Sequence, residues 1–257
     1  MRDTAHADFN FLTFGDETEK HRRREFLDLL RNCPIPGDEM LMNMGLFLTP
    51  QTLSRILFMD FLYRHILDVQ GIVVEFGCRW GQNISLFSAL RGIYEPFNRL
   101  RKVVGFDTFA GFPRTSDKDG TGRMMTNGSY SVTPNYEQYL NDIMACQEHE
   151  SPLTHLKKYE LVKGDGAISI HEYLSRNPET IIALAYFDFD LYAPTKECLL
   201  AIKDRLTRHS VIAFDELNDH ECPGETLALK EVFGLNRYPI RRFPSSARTS
   251  YLVLDDR

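Results

Sequence analysis

From residue 71 onward, short unbroken apolar runs alternate with stretches whose apolar positions recur at helical spacing. The runs are GIVVEFG (71–77), KVVGFD (102–107), YELVKGD (159–165), TIIALAYFD (180–188) and SVIAFD (210–215). An apolar run without polar alternation suits a strand covered on both faces. Helices are expected over 82–91, 168–175, 194–206 and 224–234, and YEQYLNDIMACQEH (136–149) reads as one more. Strand–helix alternation of this kind builds a parallel sheet. The last stretch, YPIRRFPSSARTSYLVLD, reads as a β-hairpin about PSSAR. The expected fold class is therefore α/β: a Rossmann-like, mostly parallel sheet with helices on both faces and an antiparallel C-terminal hairpin at its edge.

Upstream, residues 18–32 carry Phe26, Leu27, Leu29 and Leu30 on an amphipathic helix that CPIPGDE ends. A second helix starts at Pro50 with Thr49 as its N-cap, and is apolar enough around its circumference to be buried. Residues 1–68 thus read as an N-terminal helical extension, and 69–257 as the α/β domain. Within that domain, residues 113–135 are polar and rich in Gly, Ser and Thr. A loop of that length inside a compact domain suits a lid or substrate segment, here extending to about 150.

Composition narrows the function classes. A length of 257 residues fits one α/β domain plus an extension. The net charge of −6 argues against nucleic acid as a partner, since binding phosphates needs a basic face. Five cysteines, odd in number and without zinc-type spacing, read as free thiols. The N-terminal stretch lacks an apolar signal core, and no run reaches the roughly 20 apolar residues of a membrane span. A cytoplasmic protein is expected.

The chemistry sits where the apolar runs stop. Five of them end at or near an acid: Glu75, Asp107, Asp165, Asp188 and Asp215. An acid after a strand is a common helix cap. Five together, at the carboxyl ends of parallel strands, mark the rim where such sheets bind ligands. Gly77 and Gly81 follow the first run and precede a helix, which lets backbone approach a ligand closely. Their spacing is not the GxGxxG of a dinucleotide site. The interval from Asp188 to Asp215 fits one crossover, so both would lie at neighbouring strand tips about 5 Å apart. Asp188, Asp215 and the adjacent Glu216 would then converge, with Asp190 and Asn218 close by. Crowded carboxylates repel unless a cation sits among them, and an all-oxygen set favours Mg²⁺, Ca²⁺ or Mn²⁺.

The segment E-x-G-x-x-x-G resembles motif I of the class I S-adenosylmethionine-dependent methyltransferases. Taken with VVGFDTFAGFP, DFDLYAPT and IAFDELND, the chain resembles the macrocin O-methyltransferase (TylF-like) family over roughly residues 70–235. Glu75, Gly77 and Gly81 match its first motif. Asp107, Phe109, Gly111 and Pro113 match the second, Asp188, Asp190, Tyr192 and Thr195 the third, and Asp215 the first acid of the last. Glu216 stands where that family has a second Asp, and Cys78 and Gln82 also depart from its usual residues. The resemblance implies a class I methyltransferase fold and Mg²⁺-dependent O-methylation of a deoxysugar, nucleotide-linked or glycosidic. S-adenosylmethionine would be held by Glu75, Phe76, Gly77, Gly81, Gln82, Asn83, Asp107, Thr108, Phe109, Gly164, Asp165 and Asp188. Asp107 would take the ribose hydroxyls and Asp165 the adenine amino group. The metal would be held by Asp188, Asp215 and Glu216. Asp188 is the first candidate for general base, followed by His171 and His220. Two other classes stay open on residues alone: a nicotinamide-dependent sugar oxidoreductase or epimerase, and a non-catalytic module with a structural cation. The first would need GxGxxG and a Tyr-x-x-x-Lys pair, and neither is present in context. The N-terminal helices would cover the sheet or build a homo-oligomer.

Overall fold

The computed structural model describes residues 16–246 and 248–255. The first fifteen residues of the stretch read above as lacking a signal core lie outside them. Two compact units divide at Pro50/Gln51. In the first, α1 (Glu17–Arg31) starts where the Asp16 side chain accepts the Glu19 N–H at 2.9 Å. None of its residues is buried. A short α2 (Gly37–Met40) runs into a 3-10 stretch, Leu41–Phe47.

The second unit takes in all but the first residue of α3 (Pro50–Arg64), which begins at the proline that needs no N–H partner there. Five strands follow: β1 (Ile72–Phe76), β2 (Val103–Asp107), β3 (Tyr159–Lys163), β4 (Ile182–Phe187) and β5 (Leu206–Phe214). Between them lie α4 (Gln82–Tyr94), α5 (Tyr136–His149), α6 (Gly166–Arg176) and α7 (Tyr192–Ile202). After β5 come α8 (Gly224–Val232), β6 (Arg241–Arg242) and β7 (Ser250–Val253). The sheet order is β3-β2-β1-β4-β5-β7-β6. The first five strands are parallel, and β7 joins β5 antiparallel with β6 beyond it. The expected mostly parallel sheet with its terminal hairpin is what forms.

Alternation along each strand divides the core into two layers. Val73, Val103, Leu184, Tyr186 and Val211 face one side, packed with Phe58 and Leu62 of α3, Ile84 and Phe87 of α4 and Met144 of α5. Val74, Val104, Ala185 and Ile212 face the other, packed with α6, α7 and α8. Each large apolar side chain taken wholly out of water contributes about 1.5–3 kcal/mol before entropy is counted.

One row on the second face sets up the site. Phe106, Phe76, Phe187 and Phe214 stand side by side on β2, β1, β4 and β5, paired in register across the sheet. Their ring centroids step 5.2, 4.7 and 5.3 Å from one to the next, each pair nearly parallel. The next residue on each strand is Asp107, Gly77, Asp188 or Asp215. The four residues therefore leave the sheet at one level.

On the first face, α4 and α5 are tied by buried charge. Arg91 pairs with Glu148 and donates to the Lys158 carbonyl at 2.7 Å, while Glu148 accepts the Lys158 N–H at 2.8 Å. Among the described residues no helix is long and apolar enough to cross a membrane.

Candidate active site

The chain leaves β1 toward β2 on one side, and β4 lies on the other. That reversal opens a crevice beyond the strand ends. The glycine loop lines it. Gly77 has φ +94°, and a Cβ there would stand 2.0 Å from the Asp188 carbonyl oxygen, so no side chain fits. Gly81 has φ +77°, and a Cβ there would meet the Leu140 side chain. Glu75, beneath the loop, is wholly buried and accepts from Asn83 Nδ2 at 3.0 Å. Glu75 Oε2 and Asn83 Oδ1 have no hydrogen-bond partner. Burial pushes the Glu75 carboxyl up to about 8 against the pull of the Asn83 bond. Two orphaned buried acceptors at the mouth of a glycine loop fit a ligand that brings N–H donors.

The other expected cofactor residues divide by role. Phe76 is a member of the aromatic row and Gln82 lies exposed in the first turn of α4. Asp107 accepts the Arg79 and Phe109 N–H groups at 2.7 and 2.6 Å, so it orders both loops beside it. Burial raises its pKa, and those backbone bonds oppose the rise. Thr108 Oγ1 donates to the Gly111 carbonyl at 2.7 Å, shaping the next turn. Asp165 caps α6 through the Ala167 N–H at 3.0 Å, and Gly164 joins the Asp107 carbonyl at 2.9 Å.

The acids of β4 and β5 meet a cation that the sequence reading did not name. Arg55, projecting from α3, donates from Nη2 to Asp215 Oδ1 at 2.7 Å and lies 3.6 Å from Asp188 Oδ2 through Nη1. Nη1 also reaches the Tyr186 hydroxyl at 3.3 Å, and that hydroxyl donates to Asp215 at 2.8 Å. Burial, then Asp215, drives the Asp188 carboxyl well above the ordinary range, with Arg55 opposing. Asp190, in left-handed backbone at φ +59°, is pushed up to about 7 by burial and Asp215, while Arg248 and Arg79 pull it down.

Glu216 differs from expectation. Its Oε1 pairs with Arg248, and its Oε2 accepts the Cys222 thiol at 2.8 Å. Among the described residues, no group of three or more His, Cys, Asp or Glu stands arranged to hold a metal ion. Asp188, Asp215 and Glu216 are thus not assembled as a three-carboxylate cage here: Arg55 pairs with the first two and Arg248 with the third. His171 sits exposed on α6 with Nε2 2.8 Å from Glu197 of α7, and the structure does not bring it to the acids. His220 is exposed in the turn beyond β5.

Two more acids organise the turn that carries Asp188 and Asp190. Glu225, fully buried at the start of α8, accepts the Phe189 and Asp190 N–H groups at 3.0 and 3.4 Å. Asp119, from the polar 113–135 segment, accepts the Tyr192 N–H at 2.6 Å through Oδ1. Its Oδ2 takes the Ser116 N–H and hydroxyl. Further along the same segment, the Arg79 guanidinium lies 4.9 Å from the Tyr130 ring centroid. Arg55, Tyr186, Asp119 and Glu225 all escaped the sequence reading, each contacting Asp215 or the turn after Asp188 from a distant part of the chain. Tyr186 alone left a trace: a hydroxyl inside an apolar run, two residues before Asp188.

A parallel sheet in the order 3-2-1-4-5 with an antiparallel strand beside β5, a glycine loop after β1 and an acid rim at the crossing point together define a class I methyltransferase. Comparison with known proteins takes this further. No family model and no curated protein matches the chain. Among solved structures, the crystal structure of CalS11, calicheamicin methyltransferase, is 42% identical with a TM-score of 0.92 over 95% of each chain. The apo structure of CalS11, TDP-rhamnose 3′-O-methyltransferase, an enzyme in calicheamicin biosynthesis, is 39% identical with a TM-score of 0.83 over 95% of this chain and 97% of that one. The chain belongs to the sugar O-methyltransferase family of CalS11 and is a methyltransferase. The O-methyltransferase NovP shares the fold at 14% identity, with a TM-score of 0.60 over 79% of this chain and 80% of its own.

Proposed function

We propose that this chain transfers a methyl group from S-adenosylmethionine to the 3′-hydroxyl of TDP-rhamnose or a close deoxysugar, in the cytoplasm, as a step of antibiotic biosynthesis. The observation that carries the reading is the full-length likeness to CalS11 combined with an acid cluster beside the glycine loop. S-adenosylmethionine supplies an electrophilic methyl on a sulfonium. Glu75 and Asn83 offer its N–H groups their orphaned oxygens, Gly77 lets the backbone approach, and Asp107 and the Gly164–Asp165 turn border the nucleoside end.

A sugar hydroxyl is a poor nucleophile, because its proton leaves only far above neutral pH. Asp188 takes that proton as the oxygen attacks. Its raised pKa makes it a strong base once ionised, and Arg55 beside it favours the ionised form. A divalent ion belongs to the same reading. The donor chemistry of Asp188 and Asp215 suits Mg²⁺, with Glu216 as a third ligand only if Arg248 lets it go. Such an ion would acidify the hydroxyl and fix its orientation. The reading also keeps a homo-oligomer, which would cover the exposed Leu41, Met42 and Leu46 of the first unit.

The test is a mass-shift assay of methyl transfer to a panel of TDP-deoxysugars, with and without EDTA. Transfer to TDP-rhamnose, lost on chelation and restored by Mg²⁺, is the expected result. Asp188→Asn should lower turnover about 10²- to 10⁴-fold. It should still raise its melting point with S-adenosylhomocysteine, because the cofactor pocket stays intact. Turnover within a few-fold of wild type removes Asp188 as the base, and no transfer to any sugar removes the reading.

A further inference from the structure

Four residues other than glycine hold left-handed backbone around the strand-end crevice: Arg79 (φ +46°), Phe109 (φ +53°), Tyr130 (φ +61°) and Asp190 (φ +59°). A side chain disfavours that conformation, and folds keep it where it aims a group at a site. Tyr130 is aimed by more than its own dihedral angles. The Phe112 N–H donates to the Ser129 carbonyl and the Gly128 N–H to the Phe112 carbonyl, both at 2.9 Å. A Cβ on Gly111, at φ +80°, would strike the same Gly128 and Ser129 carbonyls, so glycine is needed for the two stretches to meet. The polar segment is thereby fastened to the turn after β2 immediately ahead of Tyr130. The Tyr130 ring then lies 5.1 Å from the Phe112 ring and 4.9 Å from the Arg79 guanidinium, one neighbour from each loop.

The hydroxyl at the end of this arm lies beside the acids of the β4 tip. After burial, Asp190 and then Asp188 push its pKa up, with Arg248 and Arg79 opposing, so its proton stays on. Among the described residues that hydroxyl makes no hydrogen bond. A half-buried phenol ordinarily finds a partner. We propose that Tyr130 determines acceptor specificity: its hydroxyl hydrogen-bonds the sugar hydroxyl next to the one that is methylated, so the site selects a vicinal diol. This rests on the sugar-methylation reading above and on no metal ion. A phenol both donates and accepts, so it can serve either neighbouring hydroxyl of the acceptor. Phe112 and Arg79 hold its ring from two sides, so the sugar must come to the hydroxyl rather than the reverse. An acceptor without that hydroxyl leaves the phenol unsatisfied in a closed site, which is how such a contact discriminates.

The experiment measures kcat and KM for TDP-rhamnose and for its 2-deoxy and 4-deoxy analogues. It compares wild type with Tyr130→Phe, which removes the hydroxyl and keeps the ring against Arg79 and Phe112. Tyr130→Phe is expected to lower kcat/KM for TDP-rhamnose about 10- to 100-fold. On one of the two analogues the enzymes should agree within about twofold, because the hydroxyl that Tyr130 holds is already missing. That analogue identifies which neighbour is held. S-adenosylhomocysteine should bind both proteins alike. Agreement of the two enzymes on TDP-rhamnose itself overturns the proposal and leaves the sugar methyltransferase standing. An equal loss on all three acceptors, or loss of S-adenosylhomocysteine binding, shows a structural tyrosine and overturns it as well. Failure of the wild type to methylate any of the three removes the acceptor reading and this inference together.

Discussion

Glu75 holds a carboxyl at the floor of the glycine loop, with one oxygen unpartnered and water excluded. Burial lifts its pKa from an ordinary 4.5 to about 8. The folded chain then keeps a proton that the unfolded chain releases between those values. Stability conferred by the protonated form is complete below the lower value, falls as pH rises through the window, and levels off above about 8. The slope is at most about 1.4 kcal/mol per pH unit from this residue. The melting point of the apo protein is therefore expected to drop between pH 5 and 8, and less so in Glu75→Gln. Parallel profiles for the two would show that Glu75 is ionised throughout. Burial also raises Glu225 and Asp190, so some slope persists in the variant. At this scale the sequence was half legible. An acid closing an apolar run is visible as such, which is how Glu75, Asp107, Asp188 and Asp215 were found. Whether that acid meets a ligand, a backbone N–H or an arginine depends on packing that the run itself does not show, from the adjoining turn for Asp165 to the distant α3 for Asp215. Asp165 proved to cap a helix, and Glu216 to pair with Arg248.

Elements were read more closely than contacts. β1 to β4 lie within a residue or two of the apolar runs, because strands buried on both faces leave no polar positions to confuse the pattern. β5 is the exception. It begins at Leu206, four residues early, since Leu206 pairs with Ile182 across a register irregularity that carries the exposed Thr207, Arg208 and His209. The polar 113–135 segment reads as loop, yet nothing in its composition foretells that Asp119 would be buried and bonded to the first residue of α7. Asp119→Ala leaves the Tyr192 and Ser116 N–H groups without their acceptor. It is expected to destabilise the protein by about 2–3 kcal/mol, hydrogen bonds to a charged group being the stronger kind. Limited proteolysis should cut between residues 113 and 135 faster in the variant. Unchanged cleavage and midpoint would mean that Asp119 does not secure the segment.

Across the whole molecule, two apolar layers sandwich the sheet, and the buried charges on one face are what the sequence concealed. Arg91, Arg101 and Lys158 are at most 2% exposed, whereas a basic residue in a sequence reads as surface. Glu148 is the counter-charge that ties Arg91 of α4 to the approach of β3. Removing one partner of a buried pair strands the other, so Glu148→Ala is expected to cost about 3–5 kcal/mol. That corresponds to roughly 10 °C in melting point for a chain of this size. A shift under about 2 °C would show the cluster to be solvated. The row of four phenylalanines has a different bearing. It fixes the height of Asp107, Gly77, Asp188 and Asp215 from below, through the sheet, while Asp119 and Glu225 hold the turn after Asp188 from above. Loop positions over this rim that make no bond to the strand-end turns can therefore vary while the strand ends stay in place. Under the proposed function, a lineage, or an engineer, could retarget the acceptor at those positions without having to rebuild the sheet beneath.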